Sequence, residues 1–338
     1  MAKKFIIKGA FGIDNLTLVN AEIPTPGPFQ VTVKMKAASL NYRDLLVTQG
    51  LYDPKQKPGL VPLSDGVGVV HELGAGVTRL QKGDRVCTTF FQRWIKGTPT
   101  LDEMRSTLGS PIDGALCEYM LLDSEGLVRA PKHLTDEEAA TLPCAALTAW
   151  TALVTEGGIK AGDTILTQGT GGVSTFALQF AELFGARVIA TSGSEEKIEK
   201  LKELGAYRTI NYKQQAEWGK LAKSITDEIG VDHVIEVGGA DTLEQSFKAV
   251  RPKGRISIIG VLSGLSTPVN LRYFISGALT VQGIFVGHRD SFEAMNRAIE
   301  HNAMRPVIDR VFSFDQAPDA MRYMQSQKHF GKVCIRIS

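Results

Sequence analysis

Between residues 164 and 191 the hydrophobic pattern changes period twice. Thr164-Ile-Leu-Thr-Gln168 is a short apolar-rich run that leads into Gly169-Thr-Gly171-Gly172. Phe176, Leu178, Phe180, Leu183 and Phe184 then recur near helical spacing as far as Gly185. Ala186-Arg-Val-Ile-Ala-Thr191 reads as a second strand. Strand, glycine turn, helix and strand make the opening unit of a dinucleotide-binding fold.

The alternation continues. A charged helix is predicted over 196–205, a strand over 207–212 and a helix over 216–229. A strand over 232–237 ends in Gly238-Gly239, a helix covers 244–250, and a strand covers 254–261 with Gly260 near its end. Residues 279–286 form a sixth, apolar strand at a sheet edge. Such regularity indicates a parallel, doubly wound sheet. Upstream, Phe5-Ile-Ile-Lys, Leu16-Thr-Leu-Val-Asn and the period-two run Gln30-Val-Thr-Val-Lys-Met-Lys read as short strands among Gly- and Pro-rich turns, which suggests a small β-barrel-like module. After an amphipathic helix over 292–301, strands at 309–314 and 331–337 are expected to complete that first module.

The glycine turn suits a pyrophosphate. Gly169 and Gly171 permit a tight turn, Gly172 lets a diphosphate approach the main chain, and a helix starting near Val173 points free N–H groups at the anion. Ser174 stands where a third glycine is usual, and is small enough for close packing. An ordinary strand–helix turn is the bland alternative. No acid ends the second strand to bind ribose hydroxyls. Ser192 and Lys197 instead suit a 2′-phosphate, which points to NADP(H), although Glu195 and Glu196 count against a phosphate. Ser192 also reads as a helix cap with Glu195 completing a capping box. Gly238 and Gly260 lie at strand carboxyl ends that face the same crevice, and Phe285 and Val286 follow the sixth strand toward it.

Composition changes the picture little. The 338 residues suit two domains, and a formal charge of +2 gives no field for nucleic acid. No apolar run is long enough for a membrane span. Cys87, Cys117, Cys144 and Cys334 are widely spaced, without metal-finger spacing, and with no secretory segment ahead of them they suit a reducing cytoplasm.

Asn41-Tyr-Arg-Asp44, Gln49-Gly-Leu-Tyr52, Asp65-Gly-Val-Gly-Val-Val70, Lys82-Gly-Asp-Arg-Val86 and Leu142-Pro-Cys-Ala-Ala-Leu-Thr-Ala-Trp150 occur in that order before the glycine turn. The ordered set covers essentially the whole chain and resembles the medium-chain dehydrogenase/reductase superfamily, most of all its zinc-independent quinone oxidoreductase-like and zinc-type alcohol dehydrogenase-like branch. The resemblance implies an α/β protein with two domains. A GroES-like β-barrel catalytic domain would span 1–125, with 288–338 returning to it. A Rossmann NADP(H)-binding domain would span 126–287, with the cofactor held between the two. It also implies a homodimer joined through the edge strand 279–286, since an exposed apolar edge must be covered. Thr148, Tyr212 and Lys332 match positions that contact the cofactor in similar enzymes. A surface turn is the alternative for Lys332.

Zinc-dependent relatives use an early Cys, a His-Glu pair and a further Cys or Asp. Here the early segment is Asn41-Tyr-Arg-Asp44, the pair is Ser64-Asp65, and only Cys144 matches a ligand, so the three ligands of a catalytic zinc are not expected. His71 reads as a solvated or core residue, and Cys144 as a core thiol. Hydride arriving at an enone or quinone leaves an anion on oxygen, and a proton donor or hydrogen bond stabilises it. Tyr52 is the donor candidate by resemblance, with plain packing as the alternative. Asn41 and Tyr42 open a helix near the nicotinamide end, and Asn41 is equally a cap. Asp65 is a candidate partner for Arg43. The long stretch 88–115, with Phe90, Phe91 and Trp94, is either a lid or a satellite apolar cluster. The expected activity is NADPH-dependent, zinc-free hydride transfer to a small enone or quinone. The alternatives are an alcohol/carbonyl dehydrogenase without zinc and a cofactor-binding protein with little catalysis.

Overall fold

A computed structural model describes residues 1–56 and 58–338. It divides into one unit of Met1–Leu147 with Gly287–Ser338 and a second of Thr148–Val286.

The first unit begins with β1 (Ala2–Ile7) and β2 (Leu16–Ala21), paired antiparallel. Then come β3 (Gln30–Ser39), α1 (Tyr42–Thr48), β4 (Asp65–Leu73), β5 (Arg85–Thr88), α2 (Leu101–Met104), β6 (Tyr119–Asp123), β7 (Leu127–Arg129) and α3 (Asp136–Ala140). The period-two pattern of β3 places Val31, Val33 and Met35 in the core and leaves Lys34 exposed. α3 starts where Thr135 and Glu138 form a capping box, each side chain accepting the other's backbone N–H. The helical run from Leu142 to Thr155 has α4 (Leu147–Trp150) at its middle.

The second unit alternates strand and helix: β8 (Thr164–Gln168), α5 (Gly172–Leu183), β9 (Arg187–Ser192), α6 (Glu195–Glu203), β10 (Arg208–Asn211), α7 (Trp218–Ile225), β11 (Val231–Glu236), α8 (Leu243–Ala249), β12 (Val250–Ile258), α9 (Arg272–Gly277) and β13 (Thr280–Gly283). The six strands are parallel in the order β10-β9-β8-β11-β12-β13. This is the doubly wound arrangement, with its switch point between β8 and β11. Every residue of β8 is buried, as a central parallel strand requires. Leu166, Ile189, Val234 and Ile256 share one core with Trp218 of α7 and Phe247 of α8.

The chain returns to the first unit with α10 (Arg289–His301), β14 (Ile308–Ser313), α11 (Ala317–Gln325) and β15 (Lys332–Arg336). The sheet runs β14-β15-β3-β4-β5-β7, with β6 also on β3. The last two strands thus complete the first unit. Its core joins Val33, Met35 and Leu63 to Met321 and Ile335.

Two boundaries differ from expectation. The first unit extends to Leu147 rather than 125, because β7 pairs with β5 and α3 packs on β3 and β4. The edge strand holds only Thr280–Gly283 rather than the whole of 279–286, although the Ile284 N–H still donates to Ile258 O.

Candidate functional site

In the second unit the glycine turn leaves β8 at the switch point. Gly169 has φ +69°, a left-handed conformation that favours glycine, and its N–H donates to Thr191 O at 2.8 Å. A Cβ at Gly169 or Gly171 would meet no atom within 4 Å. These glycines therefore face open space, as a cradle for a ligand must. Gly171 caps α5, Gly172 begins it, and Val173 follows half-buried, with no acidic side chain in the first turn. The helix dipole and its free N–H groups fit an anion there. Ser174, in the place of the third glycine, ties the turn down by donating to Gln168 O at 2.6 Å.

The end of β9 gathers Ser192 and Tyr212. Ser192 is buried, and its carbonyl accepts the Tyr212 N–H at 3.2 Å. A Cβ on Gly193 would lie 2.7 Å from the Tyr212 hydroxyl, so this ring end rests against the glycine. The cap of α6 is Ser194, not Ser192: Ser194 Oγ accepts the Lys197 N–H at 3.4 Å. The Ser192 hydroxyl accepts the Ser194 N–H at 3.3 Å, and no capping box joins Ser192 to Glu195. The Glu195 carboxylate is held by the side-chain amides of Asn211 and, at 2.9 Å, Gln214. Lys197 is half-buried in the first turn of α6.

A buried polar network behind the two glycine turns had not been singled out from the sequence. Glu236, at the end of β11, is fully buried. Its carboxylate accepts from Gln168 Nε2 (2.7 Å), the N–H groups of Gly238 and Gly239 (both 2.9 Å), Thr242 Oγ1 (2.5 Å) and Ser246 Oγ. Gln168 Oε1 accepts from the N–H groups of Val237 (3.2 Å) and Gly238 (3.1 Å). The carboxyl ends of β8 and β11 are thereby locked together. Gly260 joins the same corner, its N–H donating to Glu236 O at 3.3 Å. Thr148 is buried and Phe285 is 41% exposed. Val286 is buried at φ 52°, a strained conformation for a β-branched residue. The only hint of the network was an acid ending an apolar strand just before two glycines.

In the first unit, Asn41 caps α1. Asn41 N–H donates to Asp44 Oδ2 at 2.8 Å, and the Asp44 N–H donates to Asn41 O at 2.9 Å. The Asn41 side chain also enters a second network. Lys332 Nζ donates to Leu40 O and Asn41 Oδ1, both at 2.6 Å, and lies 3.8 Å from Asp65 Oδ2. Asn41 Nδ2 donates to Ser64 Oγ at 3.3 Å, and Ser64 Oγ donates to Asp65 Oδ1 at 2.8 Å. Asp65 Oδ2 also accepts from Ser39 Oγ and the Cys144 N–H, each at 3.3 Å. Lys332 is therefore neither a surface-turn residue nor turned outward. Both hydrogen bonds of its ammonium go to the start of α1.

Asp65 pairs with Lys332, not with Arg43. Arg43 meets Asp44 at 3.5 Å, donates to Leu108 O and Ser110 O at 2.9 and 3.3 Å, and covers the rings of Tyr52 and Phe90. Tyr52 is half-buried against the first core, and Tyr42 is 42% exposed. Loss of water raises the pKa of Asp44 to about 6. The Arg43 charge opposes the rise and the Asp65 charge adds to it. Burial also raises Asp65, against the pull of Lys332.

Among the described residues, no group of three His, Cys, Asp or Glu side chains is placed to hold a metal ion. Desolvation pushes the Cys144 thiol upward, away from the nucleophilic thiolate. His71 packs edge-on against Tyr119, with ring centroids 5.2 Å apart. In the stretch 88–115 the two ends, 88–92 and 106–110, are buried, while 96–98 and 100–102 between them are exposed. Phe90 and Phe91 are buried, Trp94 meets Phe91 and His288 edge-on, and the Arg289 N–H donates to Trp94 O at 3.1 Å.

Comparison with known proteins agrees with these two units. The family described as zinc-binding dehydrogenase matches residues 172–301, and the alcohol dehydrogenase GroES-like domain matches residues 27–132. A zinc-type alcohol dehydrogenase-like protein of Schizosaccharomyces pombe is 46% identical, covering 100% of both chains. A solved NAD-dependent alcohol dehydrogenase is 32% identical with a TM-score of 0.91, covering 99% of this chain and 100% of that one. A solved quinone oxidoreductase of Pseudomonas syringae is 28% identical with a TM-score of 0.84, covering 100% of both. Glycine turn, doubly wound sheet, GroES-like unit and full-length likeness agree: the chain belongs to the medium-chain dehydrogenase/reductase superfamily of oxidoreductases, in its zinc-type alcohol dehydrogenase-like and quinone oxidoreductase-like branch.

Proposed function

We propose that this protein transfers hydride from NADPH to a small conjugated enone or quinone without a metal ion. The observation that carries the reading is the acid-free end of β9 beside the open glycine turn. Ser192 and Tyr212 meet there, Lys197 follows in α6, and Asn211 and Gln214 hold the nearby Glu195. Bound NADPH supplies the hydride. The N–H groups opening α5 hold its diphosphate, Ser192 and Lys197 take its 2′-phosphate, and Thr148, Gly238, Gly260, Phe285 and Val286 border the remainder. Tyr52, under the Arg43 guanidinium, donates the proton that the reduced substrate oxygen or carbon requires, and Asn41 and Tyr42 at the start of α1 complete the proposed catalytic set. The donor set supports metal-free chemistry: Asn41, Ser64 and Asp65 gather around an ammonium rather than offering three metal ligands. The quinone oxidoreductase likeness favours the substrate class. We further propose a cytoplasmic homodimer paired along β13, whose free edge is short; sedimentation equilibrium tests the dimer. No helix among the described residues is long and apolar enough to cross a membrane.

The test is anaerobic NADPH consumption with 2-cyclohexenone and a quinone, with products identified by mass and the protein assayed for metal. Saturated ketone or hydroquinone from metal-free protein is expected. Allylic alcohol would favour the second reading, a zinc-free alcohol/carbonyl dehydrogenase, which the likeness to an NAD-dependent alcohol dehydrogenase supports. Stoichiometric zinc would overturn the metal-free step. Tight NADPH binding without turnover on the whole panel would leave a cofactor-binding protein.

A further inference from the structure

We propose that Lys213 is a further determinant of NADPH selection: its ammonium, held with the Tyr212 hydroxyl over Gly193, binds the 2′-phosphate. This deepens the NADPH reading above and rests on it.

The four residues Asn211-Tyr-Lys-Gln214 leave β10 in a tight turn. The Gln214 N–H donates to Asn211 O at 3.1 Å, and the Lys213 N–H donates to the Asn211 side-chain oxygen at 3.0 Å. An asparagine that holds its own backbone two residues on fixes such a turn. Successive side chains of a strand point to opposite faces. The turn ends that alternation and brings two successive side chains to one place. A Cβ on Gly193 would lie 2.7 Å from the Tyr212 hydroxyl and 3.0 Å from Lys213 Cε. Gly193 follows β9 directly, so both side-chain ends fold back over the connection between β9 and α6.

The other two side chains of the turn face the acid. Asn211 Nδ2 and Gln214 Nε2 both donate to Glu195 Oε1, the second at 2.9 Å. Glu196 pairs with Lys200 at 2.7 Å. The two carboxylates that count against a phosphate are therefore engaged. The Tyr212 hydroxyl and the Lys213 ammonium, by contrast, have no hydrogen-bond or ion-pair partner among the described residues. A phenol donor and an ammonium meeting at one glycine, at the end of the second strand of a dinucleotide-binding sheet, are the complement of a phosphate on the adenosine ribose.

Gly193 makes the arrangement testable without damage to the fold. It does not lie in the left-handed region, so its backbone does not call for glycine. A side chain there would meet only the free ends of two exposed residues, which can swing away. Alanine at 193 thus leaves the strands and helices in place and displaces the tyrosine and lysine ends.

The experiment titrates NADPH, NADH and adenosine 2′,5′-bisphosphate into the full chain and into Lys213→Met, Lys213→Arg and Gly193→Ala by calorimetry, at low and at physiological salt. Lys213→Met should weaken NADPH and the bisphosphate by about 10-fold or more, the reach of one charge-assisted hydrogen bond, and leave NADH within about twofold. The loss should shrink as salt rises, because the site is exposed. Lys213→Arg should restore most of the NADPH affinity, and Gly193→Ala should weaken NADPH at an unchanged urea midpoint. Full NADPH affinity in Lys213→Met or in Gly193→Ala overturns the proposal. So does equal weakening of NADPH and NADH, which would separate Lys213 from the 2′-phosphate. A wild-type chain that binds NADH as tightly as NADPH sinks the NADPH reading and this inference with it; a wild type that prefers NADPH beside an unaffected Lys213→Met variant sinks this inference alone.

Discussion

The Arg43 guanidinium lies over the Tyr52 ring, with its carbon 4.5 Å from the ring centroid. Arg43 is anchored by Leu108 O and Ser110 O, so the ring has a rigid cationic lid on one face and the first core against it. Tyr52→Phe keeps the ring, the packing and the cation contact, and removes only the hydroxyl. Turnover should fall about 100-fold or more, the usual reach of a positioned acid, with NADPH affinity within about twofold. Stopped-flow turnover beside a fluorescence titration of NADPH checks this. Unchanged turnover would remove Tyr52 as proton donor and leave it a packing residue.

Ser192→Asp combined with Lys197→Ala puts a carboxylate at the end of β9 and removes a cation from the first turn of α6. Losing charge-assisted contacts to a phosphate, and adding repulsion, should move the NADPH to NADH ratio of kcat/KM by about 10- to 100-fold toward NADH. Because Ser194, not Ser192, caps α6, the change at 192 leaves the cap in place. Steady-state kinetics with both dinucleotides and circular dichroism of α-helix content separate a specificity change from a damaged helix. A ratio that does not move refutes the phosphate site.

The alternation of the second unit was legible because β8 and β11 are buried on both faces and so must be apolar runs, while the glycines after β8 mark the turn into α5. The start of α3 was legible because a capping box has fixed spacing in sequence. What failed was non-local or one-turn ambiguous. β7 belongs to the first unit only through its pairing with β5, which no local pattern announces. Ser192 and Ser194 are equivalent caps on paper, and the chain's turn at Gly193 chooses the second. The asparagine cap at the start of α1 was legible, but Lys332 could be joined to it only by folding β15 against β3. Asp65 was given the nearby Arg43 because sequence offers neighbours, whereas the fold offered the distant lysine.

The Glu236 network makes its own prediction. Gln168→Leu keeps much of the side-chain volume but strips Glu236 of one donor and leaves the Val237 N–H without its acceptor, while the Gly238 N–H keeps Glu236. Leaving buried polar groups unsatisfied should cost about 2–4 kcal/mol in unfolding free energy. The two glycine turns should also lose their registration, so NADPH affinity falls more than stability alone requires. Urea unfolding with and without saturating NADPH measures both. If the variant is destabilised equally in the two conditions, the network is structural and does not position the cofactor turns.

Asp44 gives a pH prediction whose sign is unusual. Its native carboxyl titrates at about 6 against an ordinary 3.8, chiefly because burial disfavours the charged form. Between those values the native state binds more protons at this group than the unfolded chain does. Unfolding free energy contributed by Asp44 is therefore greatest below pH 4 and is lost as pH rises through about 6, by about 3 kcal/mol in all. Asp65 is shifted the same way and steepens the trend. Asp44→Asn retains an oxygen that can accept the Asn41 N–H and has nothing to titrate. Plotted against that variant, wild-type stability by urea unfolding should decline from pH 4 to pH 7. A difference that is flat, or that rises with pH, would mean that Arg43 outweighs burial and that Asp44 is an ordinary paired carboxylate. In that case the capped start of α1 would be held by an ion pair rather than by a carboxyl kept partly neutral.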